Sequence, residues 1–246
     1  MSEIDKSSET KLTILEHMNE LRKRIIIIAL ANTITSCISY SKIELVMNYI
    51  VKLAKGLKLI YVSPPELFLE YVKVSIYIGI ILALPITIYQ VWRFIKPALK
   101  KRERRYVIFS LFMGIIFFIS GATFAYIVVV PMAIKFFMSM STQYVSPLFS
   151  INNYINFVLT LLTCFGIVFE MPLIVLVLTS LGLVKPSFLK KNRKYAILII
   201  FILAAILTPP DVMDQFLMAV PMLLLYEISV IISSIIYRIK KKSDKV

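Results

Sequence analysis

Between Arg105 and Lys185 the chain carries only two charged residues, Lys135 and Glu170, and that spacing decides which solvent the chain must fold in. An α-helix rises 1.5 Å per residue, so about 20 apolar residues are needed to cross a hydrocarbon core about 30 Å thick. The composition agrees: 59% of the 246 residues are hydrophobic and 17% are charged, far from the mixture of a soluble domain with a wetted surface. Uncharged runs place membrane spans at 25–40, 74–92, 106–130, 155–181, 195–207 and 215–237. The expected fold is an all-α integral membrane protein, a single domain over 1–246 with six kinked transmembrane helices in a concave bundle. Flexible tails are expected at 1–11 and 239–246.

An even number of spans puts both termini on one side, and the basic residues say which. Of the 28 lysines and arginines, all but Lys42, Lys52, Lys55, Lys58, Lys73 and Lys135 fall in the N-terminal segment, in 93–105, in 185–194 or in the C-terminal tail. Cationic loops are retained in the cytoplasm, so both ends are expected on the cytoplasmic side or its organellar equivalent. The net charge of +14 is explained by the same rule and by contact with anionic lipid; no nucleic-acid partner is expected. The first 24 residues are mixed and charged and lack the short apolar core of a cleavable signal, so 25–40 is expected to stay as a span. Cys37 and Cys164 lie far apart within apolar segments and His17 has no neighbouring ligand set, which suggests neither a disulfide nor a metal site. No cofactor is expected.

The run 195–207 is short, about 20 Å of helix before Thr208-Pro209-Pro210-Asp211 ends it. Either polar flanks lengthen it or the bilayer thins beside it. Pro85, Pro131, Pro172 and Pro221 fall in or at the ends of four spans, where each removes a backbone hydrogen bond and bends the helix. Only six glycines occur, which predicts sparse close packing of helices and faces left open to lipid or partners. In the first outer loop Val46, Ile50, Leu53, Ala54 and Leu57 recur at helical spacing between lysines, the pattern of a helix lying along the interface. Ser63-Pro64-Pro65-Glu66 is a helix-start signature that places the start of the second helix near residue 64, outside the hydrocarbon.

Carboxylates away from the topological loops are the candidates for function. Glu170, in Phe165-Gly166-Ile167-Val168-Phe169-Glu170-Met171-Pro172, costs at least ~2.5 kcal/mol on insertion if bare, so it is either bonded within the bundle or offered to a neighbouring helix. Glu227, beside Tyr226 in the last span, carries the same two readings. On the basic side Glu103 stands among Lys100, Lys101, Arg102, Arg104 and Arg105, and Glu20 precedes Arg22, Lys23 and Arg24. Each is expected to be ionised. Each either pairs with an adjacent arginine as an exposed ion pair or is open to an incoming guanidinium, whose planar fork pairs bidentately with a carboxylate as lysine cannot.

At these residues the chain resembles the TatC family of the twin-arginine protein translocase, from about residue 12 to 237. The resemblance is carried by His17 to Arg24 (HMNELRKR), Ser63 to Phe68, Tyr89 to Leu99 (YQVWRFIKPAL) with Glu103-Arg104-Arg105, Phe165 to Pro172 (FGIVFEMP) and Leu207 to Asp211 (LTPPD). It implies a core subunit that receives twin-arginine signal peptides of folded cargo and exports that cargo on the proton gradient, without covalent catalysis. The implied signal-peptide site is Glu20, Phe94, Glu103 and Arg105. The implied contacts for the single-span partners TatA and TatB are Glu170 with Pro172, and Pro221 with Glu227. Pro209 and Asp211 are implied in outer-side assembly, and homo-oligomerisation within the complex is expected. Localisation would be the bacterial inner membrane, or a mitochondrial inner or thylakoid membrane. One departure is the lack of proline in 43–60, where members often carry one.

Two readings compete. A proton-coupled secondary transporter would use Glu170 and Glu227 as its relay, since intramembrane carboxylates mark ion pathways, but the two halves show neither internal similarity nor paired broken helices. A membrane assembly scaffold would differ from a receptor only in never contacting a signal peptide at 94–105.

Overall fold

A computed structural model of the chain describes residues 3–54, 57–96, 101–139, 148–207 and 212–243. Helix α1 (Glu3–Tyr40) is followed by α2 (Ile43–Lys52), strand β1 (Lys58–Ile60) and α3 (Pro64–Ile95). Next come α4 (Lys101–Phe124), a π-helical segment (Ala125–Val129), α5 (Val130–Ser139) and strand β2 (Leu148–Ser150). The chain continues with α6 (Ile151–Phe169), α7 (Met171–Ser180), α8 (Pro186–Lys191), α9 (Arg193–Leu207) and α10 (Val212–Ser243). Pro64–Ile95, Val107–Ser139, Ile151–Ser180 and Met218–Ile239 are each long and apolar enough to cross a membrane. His17–Tyr40 with Ile43–Lys52, bent by 74°, forms a fifth candidate. The expected span at 195–207 coincides with α9, whose 15 residues make only about 22 Å.

Backbone polar groups in hydrocarbon have no water to bond, so a span stays helical except where its sequence forbids it. Pro131 lacks an N–H and its ring opposes the carbonyl of Ile127; just there the helix opens into its π-turn before resuming as α5. Pro172 does more. The fourth span divides at Glu170, whose N–H reaches Ile167 O at 3.1 Å while its carbonyl accepts from both Leu173 and Ile174 at 3.0 Å. Pro85 and Pro221, by contrast, are carried inside the continuous helices α3 and α10.

The core is built around α6, with Tyr154, Ile155, Val158 and Phe165 buried against Val130 and Ile134 of α5 and Met222 and Tyr226 of α10. The few glycines do not leave the helices loosely packed, contrary to the expectation from their number. A Cβ at Gly79 would lie 2.6 Å from Ser36 Cα, and one at Gly121 would meet Phe169 Cβ at 2.8 Å. A Cβ at Gly166 would strike the Phe118 ring at 2.6 Å. Gly79 lets α1 approach α3, and Gly121 lets α4 approach α6, to backbone contact, while Gly166 leaves room for the Phe118 ring. Hydroxyls add to these contacts: Thr35 Oγ1 donates to Gly79 O at 2.8 Å at the α1–α3 crossing, and Thr179 and Ser233 share a 2.8 Å bond between α7 and α10.

At the end of the bundle away from the basic loops, β1 and β2 pair in parallel, Leu59 opposite Phe149, a contact that apolar periodicity does not predict. Tyr154 donates to Ile50 O at 2.8 Å and Tyr126 to Tyr49 O at 3.0 Å, holding α2 against the bundle. The buried face of α2 and the turn after it is Ile43, Met47, Ile50 and Ala54; of the expected stripe it contains Ile50 and Ala54, while Val46, Leu53 and Leu57 are only partly buried beside it. Glu66, in the first turn of α3 and ahead of the apolar stretch that begins at Val74, joins these parts. Its carboxylate accepts from Val62 N at 2.6 Å, Ser63 N at 3.3 Å, Asn152 N at 3.2 Å and Ser150 Oγ at 2.5 Å. The expected helix-start signature thus reaches across to the N-terminus of α6.

The Ser150 hydroxyl, and after it the Val62 N–H, hold the Glu66 carboxyl down from its ordinary 4.5 to about 2. A carboxyl depressed on folding contributes stability that is fully present above the unfolded value and lost as the pH falls through the folded one. Thermal unfolding of the purified protein between about pH 4.5 and about 2 should therefore show a falling midpoint. The Glu66→Gln variant should begin with a lower midpoint at neutral pH and converge on the parent at the acid end. Parallel curves for the two proteins would contradict the network.

Candidate functional site

The first site lies at the basic end, where α1 crosses the end of α3. The His17 and Phe94 rings stack at 4.4 Å and 16°, which fixes α1 against α3 one helical turn before Glu20. Glu20 Oε1 accepts from Arg24 Nη2 at 2.6 Å, and Arg24 Nη1 donates to Gln90 Oε1 on α3 at 2.8 Å. The Glu20–Arg24 pair follows from i,i+4 spacing. Gln90 as the second partner does not, and it makes Arg24 a clamp between two helices. Arg24 is mostly buried while the Glu20 side chain keeps 35% of its exposure. Arg24's hydrogen bond holds the Glu20 carboxyl below the ordinary carboxylate range, so it is anionic at neutral pH. Its second oxygen has no partner among the described residues. Glu103 and Arg105 belong to the first turns of α4, but their side chains lie outside the described residues.

Beside this end, α3 and α4 leave a groove of about 300 Å³ lined by Pro85, Tyr89, Trp92, Ile108 and Phe112 among others. Pro85 of α3 and aromatic side chains from both helices form its walls. The arrangement places an exposed carboxylate and an apolar cleft at the same end of the bundle.

The second site is the break in the fourth span. Glu170 is half-buried, and a Cβ at Gly114 of α4 would lie 3.2 Å and 3.3 Å from its two carboxylate oxygens. A glycine opposite therefore makes room for the carboxylate. No hydrogen-bond donor meets the Glu170 side chain among the described residues, so the reading of an internal bond within the bundle finds no partner there. Pro172 is fully buried behind it. Glu227 is different: Arg193, at the start of α9, donates to its Oε2 at 2.7 Å, and the neighbouring Tyr226 hydroxyl donates to Leu189 O at 2.7 Å. Arg193 lies 34 positions from Glu227 in sequence, and only the fold brings the two together. Pro221 sits in α10 without a break. Pro209 and Asp211 lie outside the described residues.

Comparison with known proteins gives one answer. The profile of Sec-independent protein translocase protein (TatC) matches residues 16–221. The Sec-independent protein translocase protein TatC of Carboxydothermus hydrogenoformans is 42% identical over 228 residues, covering 92% of this chain and 94% of the relative. That of Aquifex aeolicus is 42% identical over 240 residues, covering 95% and 100%. A crystal structure of the twin arginine translocase receptor TatC in DDM superposes with a TM-score of 0.76 at 41% identity, covering 89% of this chain and 99% of that one. On the matched length, the shared fold and the shared helices, the chain belongs to the TatC family: it is a multi-pass membrane subunit of the Sec-independent protein translocase, a transport component working in complex with other translocase subunits and not an enzyme.

Proposed function

We propose that this chain is the signal-peptide receptor and core subunit of the twin-arginine translocase, moving folded proteins on the proton gradient. The observation that supports it best is the conjunction at the basic end: the Glu20 carboxylate, ionised and with one oxygen open, stands beside the His17–Phe94 stack and at the same end of the bundle as an apolar cleft. A guanidinium from a signal peptide bonds the open oxygen while Arg24 keeps the other. Gln90 holds Arg24 in place meanwhile, so the carboxylate is presented without rotamer search. Glu103, in the first turn of α4, receives the second arginine, with Arg105 beside it. The apolar part of the peptide then lies along the α3–α4 groove.

On the same reading, six spans with both termini on the cytoplasmic side face Glu20 and Glu103 toward the incoming cargo. Glu170, unbonded and backed by Pro172, is the polar contact for the helix of a TatA- or TatB-type partner, with Pro221 and Glu227 on α10 as a second contact. Pro209 and Asp211 serve assembly on the outer side, and copies of the chain associate within the complex. The transporter reading loses support at Glu227, whose carboxylate is occupied by Arg193, and at the family, which moves proteins.

Photo-crosslinking of a twin-arginine signal peptide from positions flanking Phe94 and Glu103 in native membranes should give a cargo-dependent adduct. Glu20→Gln combined with Glu103→Gln should reduce that adduct about tenfold, and so should a twin-lysine peptide, because lysine cannot make the bidentate pair. Equal adducts from arginine and lysine peptides would refute the receptor site. Reporter tags at the two termini should both respond from the cytoplasmic face; opposite faces would remove the topology. For the second site, Glu170→Ala should deplete single-span partners from the purified complex while signal-peptide crosslinks persist. An unchanged partner content would leave Glu170 without the assigned role.

A further inference from the structure

Lysines on the outer face are scarce in this chain, yet two of them, far apart in sequence, converge on one cavity. Lys52 ends α2 and Lys135 lies in α5, and both line a cavity of about 520 Å³ at the bundle end away from the basic loops. Both are exposed. Neither has an acidic or hydrogen-bonding partner among the described residues, in contrast to Lys73, which Glu70 and Asn156 hold at 2.6 Å and 2.9 Å. Two unpaired cations facing one space repel each other, and an anion between them removes that cost. The positive-inside rule makes such a pair unusual on this face. It is therefore not a by-product of topology.

The cavity has the two-part character of a lipid site. Its polar rim is Lys52, Lys135 and Tyr49, whose hydroxyl is also unpartnered among the described residues, while Tyr126 spends its hydroxyl on Tyr49 O. Its remaining lining includes Leu53, Pro131, Ile134 and Met138, an apolar wall beside the polar rim. The π-turn ahead of Pro131 moves the chain onto a new helical phase, and α5 follows it with Lys135 on the cavity wall beside Pro131 and Ile134. Lysine and tyrosine at the rim with aliphatic groups beyond them match a phosphodiester headgroup and the start of its acyl chain.

We propose that this cavity binds an anionic phospholipid of the adjacent leaflet, its phosphate held between Lys52 and Lys135 and its chain laid along Pro131 and Ile134. The site is separate from the signal-peptide groove and does not depend on the receptor reading. Occupied, it would tie α2, and with it the first outer loop, to the third span through the lipid.

The test is native mass spectrometry of the full chain released from nanodiscs of dioleoyl phosphatidylglycerol or dioleoyl phosphatidylcholine. Retained phosphatidylglycerol should exceed phosphatidylcholine by about tenfold, as two lysines near an anionic headgroup imply. Lys52→Gln combined with Lys135→Gln should lose that preference, Lys52→Arg with Lys135→Arg should keep it, and Lys42→Gln, outside the cavity lining, should leave it intact. Thermal unfolding of each variant reports whether it is folded, and the arginine pair carries the test if the glutamine pair is not. Equal retention of the two lipids, or undiminished phosphatidylglycerol on the folded glutamine pair, overturns the proposal. Displacement of the lipid by millimolar inorganic phosphate also overturns it, because a free-anion site would then explain the lysines without a lipid.

Discussion

Hydrocarbon offers no hydrogen bonds, and the architecture follows from that single restriction on the peptide backbone. Every long apolar run is helical, and departures from the helix fall at proline, where an N–H is missing in any case. The two departures are unequal. At Pro131 the chain widens into a π-turn and goes on. At Pro172 it breaks outright, and the residue at the break is Glu170, whose backbone carbonyl gathers two N–H groups while its side chain turns to Gly114. An irregular backbone and an unpaired carboxylate thus occupy the same point, a site where a neighbouring helix can supply what the chain lacks.

Packing between the helices has a different origin from that in a soluble core, because lipid tails are as apolar as leucine and burial alone gives little. Close approach and buried hydroxyl bonds replace it. Gly79 and Gly121 bring backbones together and Gly166 admits the Phe118 ring, and Thr179 with Ser233 provides a polar stitch where glycine is absent. At the end away from the basic loops, side-chain to backbone bonds from Tyr154 and Tyr126 and the fourfold-bonded Glu66 connect loops that the helices alone would leave independent.

Charge divides the molecule into two working ends. At the basic end the cations cluster at the ends of the helices, and Glu20 is presented by an arginine that is itself clamped to Gln90. Such an arrangement suits recognition of another arginine, since the carboxylate is already ionised and oriented before the ligand arrives. At the other end Glu66 is held by backbone N–H groups and the Ser150 hydroxyl and Glu70 by Lys73, while Lys52 and Lys135 have no acidic partner among the described residues.

The sequence by itself determined the solvent, the helical class, the positions of most spans and the short α9, because charge spacing and apolar length act locally along the chain. It also marked Glu20, Glu103 and Glu170 as the carboxylates worth attention, since an acid among cations or in lipid stands out without any fold. What only the tertiary structure decided was who meets whom. Arg24 finding Gln90, Arg193 finding Glu227, Glu66 bridging to Ser150 and Lys52 facing Lys135 all join segments far apart in sequence. So do the parallel pairing of β1 with β2 and the service of three glycines at helix crossings. Those contacts depend on the rotation and offset of one helix against another, which side-chain volumes fix jointly across the bundle and which no single segment encodes.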